Sequence, residues 1–165
     1  MNKLIFRIFV STLLIALPTY GLCANELSVD GILKDKNSSP IILFKIRNIS
    51  QKEIVLDNSE IPNGGTNHLI IDAVTKNGRK QLERLPIGID SAGITIVRSG
   101  ESIESELSLN DCIKGLADAL HKDDVVIFWL YQPEDKHLKE LGSFSGWILV
   151  PRMSLKTENK KVTTP

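Results

Sequence analysis

The residues best suited to metal binding or acid–base catalysis are three histidines that stand far apart in the chain. His68, His121 and His137 have no second His or Cys at the spacing of a zinc site, and no His-Glu-x-x-His motif is present. His121 follows a stretch that we expect to be helical, a position that the helix dipole favours for histidine. The spacing therefore predicts no metal site.

Sequence motifs for nucleophilic catalysis and nucleotide binding are also missing. The Gly-x-Ser-x-Gly elbow, the phosphate-binding loop and the dinucleotide fingerprint do not occur. Ser99-Gly100-Glu101 is a turn signal rather than a nucleophile site. We therefore expect a protein that is not an enzyme and binds no cofactor.

Two pairs of adjacent acids are the remaining candidates for chemistry. Asp123-Asp124 and Glu134-Asp135 are interpreted as solvated loop charges, because calcium loops alternate their ligands instead of placing them side by side. The alternative is a hydrolase or carbohydrate-binding site that forms on folding from these four acids and Tyr131.

Two tryptophans lie inside apolar stretches. Trp129 and Trp147 are predicted to be core residues, with a sugar-stacking platform as the alternative.

The N-terminal residues 1–24 have the order of charges and apolar residues that is typical of a secretory signal. Lys3 and Arg7 precede a short apolar run, and a stretch with Pro and Gly ends in Ala24. The run is too short to span a membrane, which takes about 20 residues. We expect this segment to be cleaved and the protein to be periplasmic or secreted.

The cleavage site decides the cysteine chemistry. Cleavage after Ala24 leaves Cys112 as the only cysteine, whereas cleavage after Gly21 keeps Cys23 and allows a Cys23–Cys112 bridge. A buried, unreactive Cys112 is the favoured interpretation.

Length and charge exclude two classes of partner. The chain has 165 residues, with 20 basic and 20 acidic side chains. This balance leaves no basic excess to neutralise phosphates, so nucleic-acid binding is not expected. No later apolar run has the length of a membrane span, so no stable membrane insertion is expected once the signal is removed.

Residues 25–151 are predicted to form one domain of short strands separated by turns, followed by a polar flexible tail, 152–165. In the strand Ile41–Asn48, side chains alternate between an apolar and a polar face. Asn77-Gly78 predicts a hairpin in which both residues have positive φ. The continuous apolar run Val125–Tyr131 predicts a central strand buried on both faces, and Phe144–Val150 predicts the last strand.

A single helix is expected near residues 110–120. Asn110 is its predicted cap, and Ile113, Leu116 and Leu120 recur at helical spacing. Eight or nine strands and one short helix predict an all-β fold, an antiparallel immunoglobulin-like β-sandwich.

Two stretches carry a resemblance to a known family. Phe44 to Ser50 is a strand running into an Asn-x-Ser turn, and Ser99 to Asp111 is a Gly-Glu-Ser turn followed by an alternating strand. Together they resemble small secreted bacterial immunoglobulin-like β-sandwich modules, similar to the non-catalytic domain that precedes deuterolysin-type metallopeptidases. The resemblance implies a free-standing sandwich and no catalytic residues, since the chain has no zinc-binding helix.

These observations predict an exported, non-catalytic binding or accessory module of the bacterial cell envelope. Its partner is expected to be another envelope or secreted protein, contacted by loops at one end of the sandwich. One alternative is a periplasmic inhibitor or immunity protein against a protease or a cell-wall hydrolase; the other is the carbohydrate-binding protein or hydrolase mentioned above. The candidate contact residues come from the loops Asn58–Asn67 and Ile87–Gly93: Ile61, Pro62, Asn63, Ile87, Ile89 and Asp90.

Overall fold

The structure is a computed structural model that describes residues 25–37, 39–62, 68–86 and 92–153. The predicted signal segment and the residues from 154 onward lie outside this range. The strands are β1 (Leu27–Lys36), β2 (Ser39–Asn48), β3 (Ile54–Asp57), β4 (Leu69–Thr75), β5 (Gln81–Leu82), β6 (Ile94–Val97), β7 (Ser102–Ser108), β8 (Val125–Tyr131) and β9 (Phe144–Val150). Two short helices, α1 (Leu109–Cys112) and α2 (Leu116–Leu120), lie between β7 and β8.

All the strand pairs are antiparallel, and they form three sheets. The strand orders are β1-β2-β7, β3-β6 and β5-β4-β8-β9. Strands distant in sequence are neighbours, since β2 pairs with β7 and β4 with β8. The expected all-β sandwich fold is confirmed.

The core lies between the three-stranded and the four-stranded sheet. The buried face predicted for β2 is confirmed, because Ile42, Phe44 and Ile46 are fully buried. The strict alternation is not, since Ile41 and Leu43 of the other face are buried as well. The ring of Phe44 meets that of Trp129 edge to face at 5.3 Å between centroids, an arrangement that aromatic pairs favour. Trp129 is therefore a core residue, as predicted.

Two glycines make room for the indole of Trp129. A Cβ atom on Gly31 of β1 would lie 3.1 Å from the Trp129 Nε1, and one on Gly146 of β9 would lie 2.7 Å from its Cζ2. The edge strands β1 and β9 therefore approach each other over the side chain of Trp129. Any larger residue at Gly146 would displace this indole ring.

The prediction of one helix capped by Asn110 is wrong. Gly115 adopts a left-handed conformation with φ +71°, and the chain between α1 and α2 is not helical. Asn110 lies inside α1 rather than at its cap, and its side-chain Oδ1 is buried without a hydrogen-bond partner among the described residues. Three of the periodic apolar positions are nevertheless buried, as Ile113, Leu116 and Leu120 belong to the core, but Ala117, predicted by the same spacing, is exposed.

The hairpin between β4 and β5 exists, but its turn differs from the prediction. The residue with positive φ is Arg79 rather than Asn77 or Gly78. The five residues between the strands form a longer loop than the two-residue turn that Asn-Gly favours. A carboxylate holds this loop, because Asp123 Oδ2 accepts the N–H groups of Asn77 at 2.7 Å and Gly78 at 3.2 Å.

The last described residues pack against the domain. Met153 donates its N–H to Leu120 O at 2.9 Å and contacts the core, while the N–H of Arg152 bonds to Asp124. None of the described helices is long and apolar enough to cross a membrane.

Candidate binding site

The outer face of the four-stranded sheet is apolar where it meets solvent. Residues of β8 alternate between buried and less buried positions, and the phenyl ring of Phe128 points outward with 48% of its surface exposed. The prediction that β8 is buried on both faces is therefore wrong. Its apolar run covers the core with one face and forms part of the molecular surface with the other.

Trp147 is the most exposed aromatic side chain of this face. It lies on β9, directly opposite Phe128, and is 68% exposed. The prediction of a core position is wrong for this tryptophan, because the inward positions of β9 are those of Phe144, Gly146 and Val150. A side chain that buries 150–250 Å² when covered is thus left in contact with water.

The register places these two rings at the centre of a larger surface. Three adjacent strands contribute three rows of cross-strand neighbours, and every position is apolar except Asp72 and Ser145. We call this surface the outer patch, and its rows are Ile70, Leu130 and Ser145; Asp72, Phe128 and Trp147; Val74, Val126 and Leu149. Contiguous exposed apolar residues of this kind mark interaction sites in soluble proteins.

Asp72 carries the only charge of the outer patch. It lies opposite Phe128 in the central row and is exposed, and its carboxylate has no hydrogen bond or ion pair with any described residue. No Lys or Arg occupies a patch position. A single carboxylate therefore lies beside the ring of Phe128 on an otherwise uncharged surface, with Trp147 on the far side of that ring.

The loops predicted to bind a partner are described only in part. Ile61 is half-buried and Pro62 is buried, so neither presents a free apolar side chain to solvent. Asn63 lies outside the described residues. So do Ile87, Ile89 and Asp90.

A cluster of interacting polar residues connects the two ends of the 61–67 loop. Glu60 Oε1 lies 3.4 Å from His68 Nε2, Glu60 Oε2 accepts the N–H of Glu134 at 3.2 Å, and Glu60 O accepts the hydroxyl of Tyr131 at 2.7 Å. Burial raises the pKa of Glu60, while the Glu134 hydrogen bond and His68 act against this. Burial and the neighbouring Glu60 carboxylate raise the pKa of Tyr131. The cluster fixes the base of the loop, and no local sequence signal pairs these residues.

The acidic pairs do not converge on one site. Asp123-Asp124 precedes β8 and Glu134-Asp135 follows it, so the pairs are separated by a seven-residue strand about 24 Å long. Tyr131, the fifth residue of that hypothesis, has its ring in the core.

Each acid pair instead holds backbone in place. Desolvation acts to raise the pKa of Asp123, but hydrogen bonds from the N–H groups of Asn77, Gly78 and Asp124 outweigh it, so the pKa is lowered. Asp135 is likewise desolvated, and the N–H groups of Lys139 and His137 lower its pKa. The N–H of Arg152 and the ammonium of Lys76 lower the pKa of Asp124.

The remaining candidates for chemistry are dispersed. Among the described residues, no three His, Cys, Asp or Glu side chains come together as a metal site would require. Cys112 is buried and forms no disulfide with any described residue. Burial, and to a smaller extent the charge of Asp111, raises the pKa of its thiol to about 11, so the thiol stays protonated at neutral pH. A cavity of about 590 Å³ lies beside α2. Its walls include Lys80, Lys114 and Asp118, whose charges have opposite signs.

The chain matches no model of a known protein family, and no curated protein has a matching sequence. The resemblance to deuterolysin-associated modules therefore stays a prediction.

Proposed function

We propose that this protein is an exported, non-catalytic binding module that holds another protein of the cell envelope against its outer patch. The observation that carries the proposal is the exposure of Trp147 beside Phe128, in the middle of an apolar sheet face. Interfaces between proteins are enriched in aromatic residues, and a central tryptophan is a frequent energetic hot spot. The proposed contact is thus a sheet face, in contrast to the loops that the sequence suggested.

A carbohydrate ligand is the second candidate, and the same tryptophan favours it. Indole rings stack on sugars, and the outer patch is as open as a polysaccharide would need. Sugar recognition also needs hydrogen-bonding groups beside the rings, however, and the patch offers only Asp72 and Ser145. The aliphatic neighbours of the rings fit a protein surface better.

The test compares Trp147→Ala with a matched control. Ile94→Ala removes a similarly exposed apolar side chain, 60% exposed, from β6 in a different sheet. Wild type and both variants are immobilised and exposed to an envelope extract of the source cell; a retained protein is then purified and its affinity measured for each variant. We expect retention by wild type and Ile94→Ala, and a loss of about 30-fold in affinity for Trp147→Ala, the effect of a hot spot.

Two results would contradict the proposal. The first is equal affinity of the three proteins for every retained partner. The second is retention of insoluble cell-wall polysaccharide, dependent on Trp147, with no protein retained, which would select the carbohydrate candidate instead.

A further inference from the structure

The outer patch is small, and its size limits what it can hold. Neighbouring strands lie about 4.8 Å apart and same-face residues about 6.8 Å apart, so its Cα positions span about 10 Å by 14 Å. A standard interface takes about 20–30 residues from each partner, whereas the patch has nine positions. The patch therefore fits a short segment rather than the face of a whole domain.

The charge of the patch limits the chemistry of that segment. Covering Asp72 with apolar atoms would strip water from an ionised carboxylate that no described residue pairs, and an unpaired buried charge is strongly unfavourable. A cation that pairs with Asp72 removes this penalty. It would also lie beside the ring of Phe128, the cross-strand neighbour of Asp72, where an aromatic face attracts cations.

We propose that the outer patch binds a segment of a partner protein that presents an arginine or lysine between apolar side chains, with the cation paired to Asp72 beside Phe128 and an apolar neighbour against Trp147. Arginine is the better fit, because its planar group bonds a carboxylate with two N–H groups and stacks on aromatic rings. The inference rests on the proposed function, since it identifies the chemistry of the partner at the same surface.

Two other occupants lack the required charge. A second copy of the chain facing the patch would bring no Lys or Arg from its own patch to Asp72. An anionic lipid surface would repel the carboxylate. A cationic peptide segment satisfies both the apolar positions and the charge.

Random 12-residue peptides displayed on phage provide the probe. The library is first depleted on Trp147→Ala and then selected on the wild-type protein, and the recovered peptides are synthesised for affinity measurement. We expect them to share an Arg or Lys flanked by apolar residues. Asp72→Asn should weaken their binding by about tenfold, whereas Asp72→Glu, which keeps the charge, and the control Asp30→Asn on β1 should not.

A double-mutant cycle isolates the ion pair. Replacing the Arg or Lys of the peptide with Gln should weaken its binding to the wild-type protein by the same factor of about ten. The same replacement should weaken binding to Asp72→Asn only slightly further. Peptides that need Trp147 but carry no cation, or that bind Asp72→Asn as tightly as wild type, would overturn the inference and leave the docking surface standing. Failure to recover any Trp147-dependent peptide would count against both proposals.

Discussion

The outer side of the three-stranded sheet carries a row of alternating charges. Asp30 of β1, Lys45 of β2 and Glu104 of β7 lie directly opposite one another across the strands, and all three are exposed. Cross-strand neighbours of opposite charge stabilise a sheet modestly and keep its surface wet. The next row of this face holds Ile32 and Leu43 beside Glu106, so the face mixes charged and apolar residues and carries no aromatic ring among its described residues.

The corresponding row of the four-stranded sheet contains one charge and two aromatic rings. Asp72, Phe128 and Trp147 occupy it, with apolar residues in the rows on either side. The sheet's inner face already supplies the core with residues such as Ile71, Ile127 and Trp129, so the outer rings are not needed to fill it. The two faces thus differ chiefly in their aromatic rings, and the rings of the outer patch lie outside the core.

The largest expected effect separates the two tryptophans of the four-stranded sheet. Trp129→Ala should lower the free energy of unfolding by about 3–5 kcal/mol, because it empties a core site between Gly31 and Gly146. Trp147→Ala should change that free energy by no more than about 0.5 kcal/mol, as exposed substitutions usually do. Urea denaturation of both variants measures the contrast. A comparable loss for the two would mean that the outer patch is part of the folding core.

A smaller effect concerns Glu60, which belongs to the loop base and not to the patch. Its raised pKa means that the folded protein keeps a proton on Glu60 at pH values where the unfolded chain, near pKa 4.5, has lost it. Glu60 therefore adds to the free energy of unfolding at acidic pH, and this contribution is lost as the pH rises above 4.5. We expect Glu60→Gln to flatten this decline while leaving peptide binding at the patch unchanged.

Thermal unfolding of wild type and Glu60→Gln from pH 4 to pH 7 measures the difference. Parallel pH profiles for the two proteins would refute the assignment of a raised pKa to Glu60. Loss of peptide binding in the variant would show that the loop base and the patch act together.

The smallest effect is expected on the charged face. Lys45→Ala removes the cation that lies opposite Asp30 and Glu104, and exposed neighbours of opposite charge contribute about 0–1 kcal/mol, less at high salt. Partner affinity should be unaffected, in contrast to Trp147→Ala. Denaturation at low and at high salt, together with the affinity measurement, checks both expectations. A loss of affinity as large as that of Trp147→Ala would erase the distinction between the faces.

The sequence predicted the strands well where their pattern is local. The bounds of β8 and β9 agree with the structure because continuous apolar runs end at polar or proline residues, Pro151 among them. The helix was mispredicted because the spacing of Ile113, Leu116 and Leu120 survives a break at Gly115. Apolar periodicity reports which positions are buried, and it does not by itself report a continuous helix.

The candidate site could not be predicted because its exposure depends on the arrangement of layers. A run such as β8 has the same composition whether its second face is covered or open, and Phe128 and Trp147 therefore looked like core residues. The pairing of Glu60 with His68 is likewise a product of the fold, since Glu60 is held there by Tyr131 and Glu134 at the end of β8.

Site-specific photo-crosslinking in the source cell tests the central claim most directly. A photoreactive phenylalanine analogue replaces Trp147 in one strain and Lys45, on the charged face, in another. If the outer patch is a docking surface, irradiation should give one dominant adduct with a protein from position 147 and none from position 45. Equal adduct patterns from the two positions, or none from position 147, would contradict it.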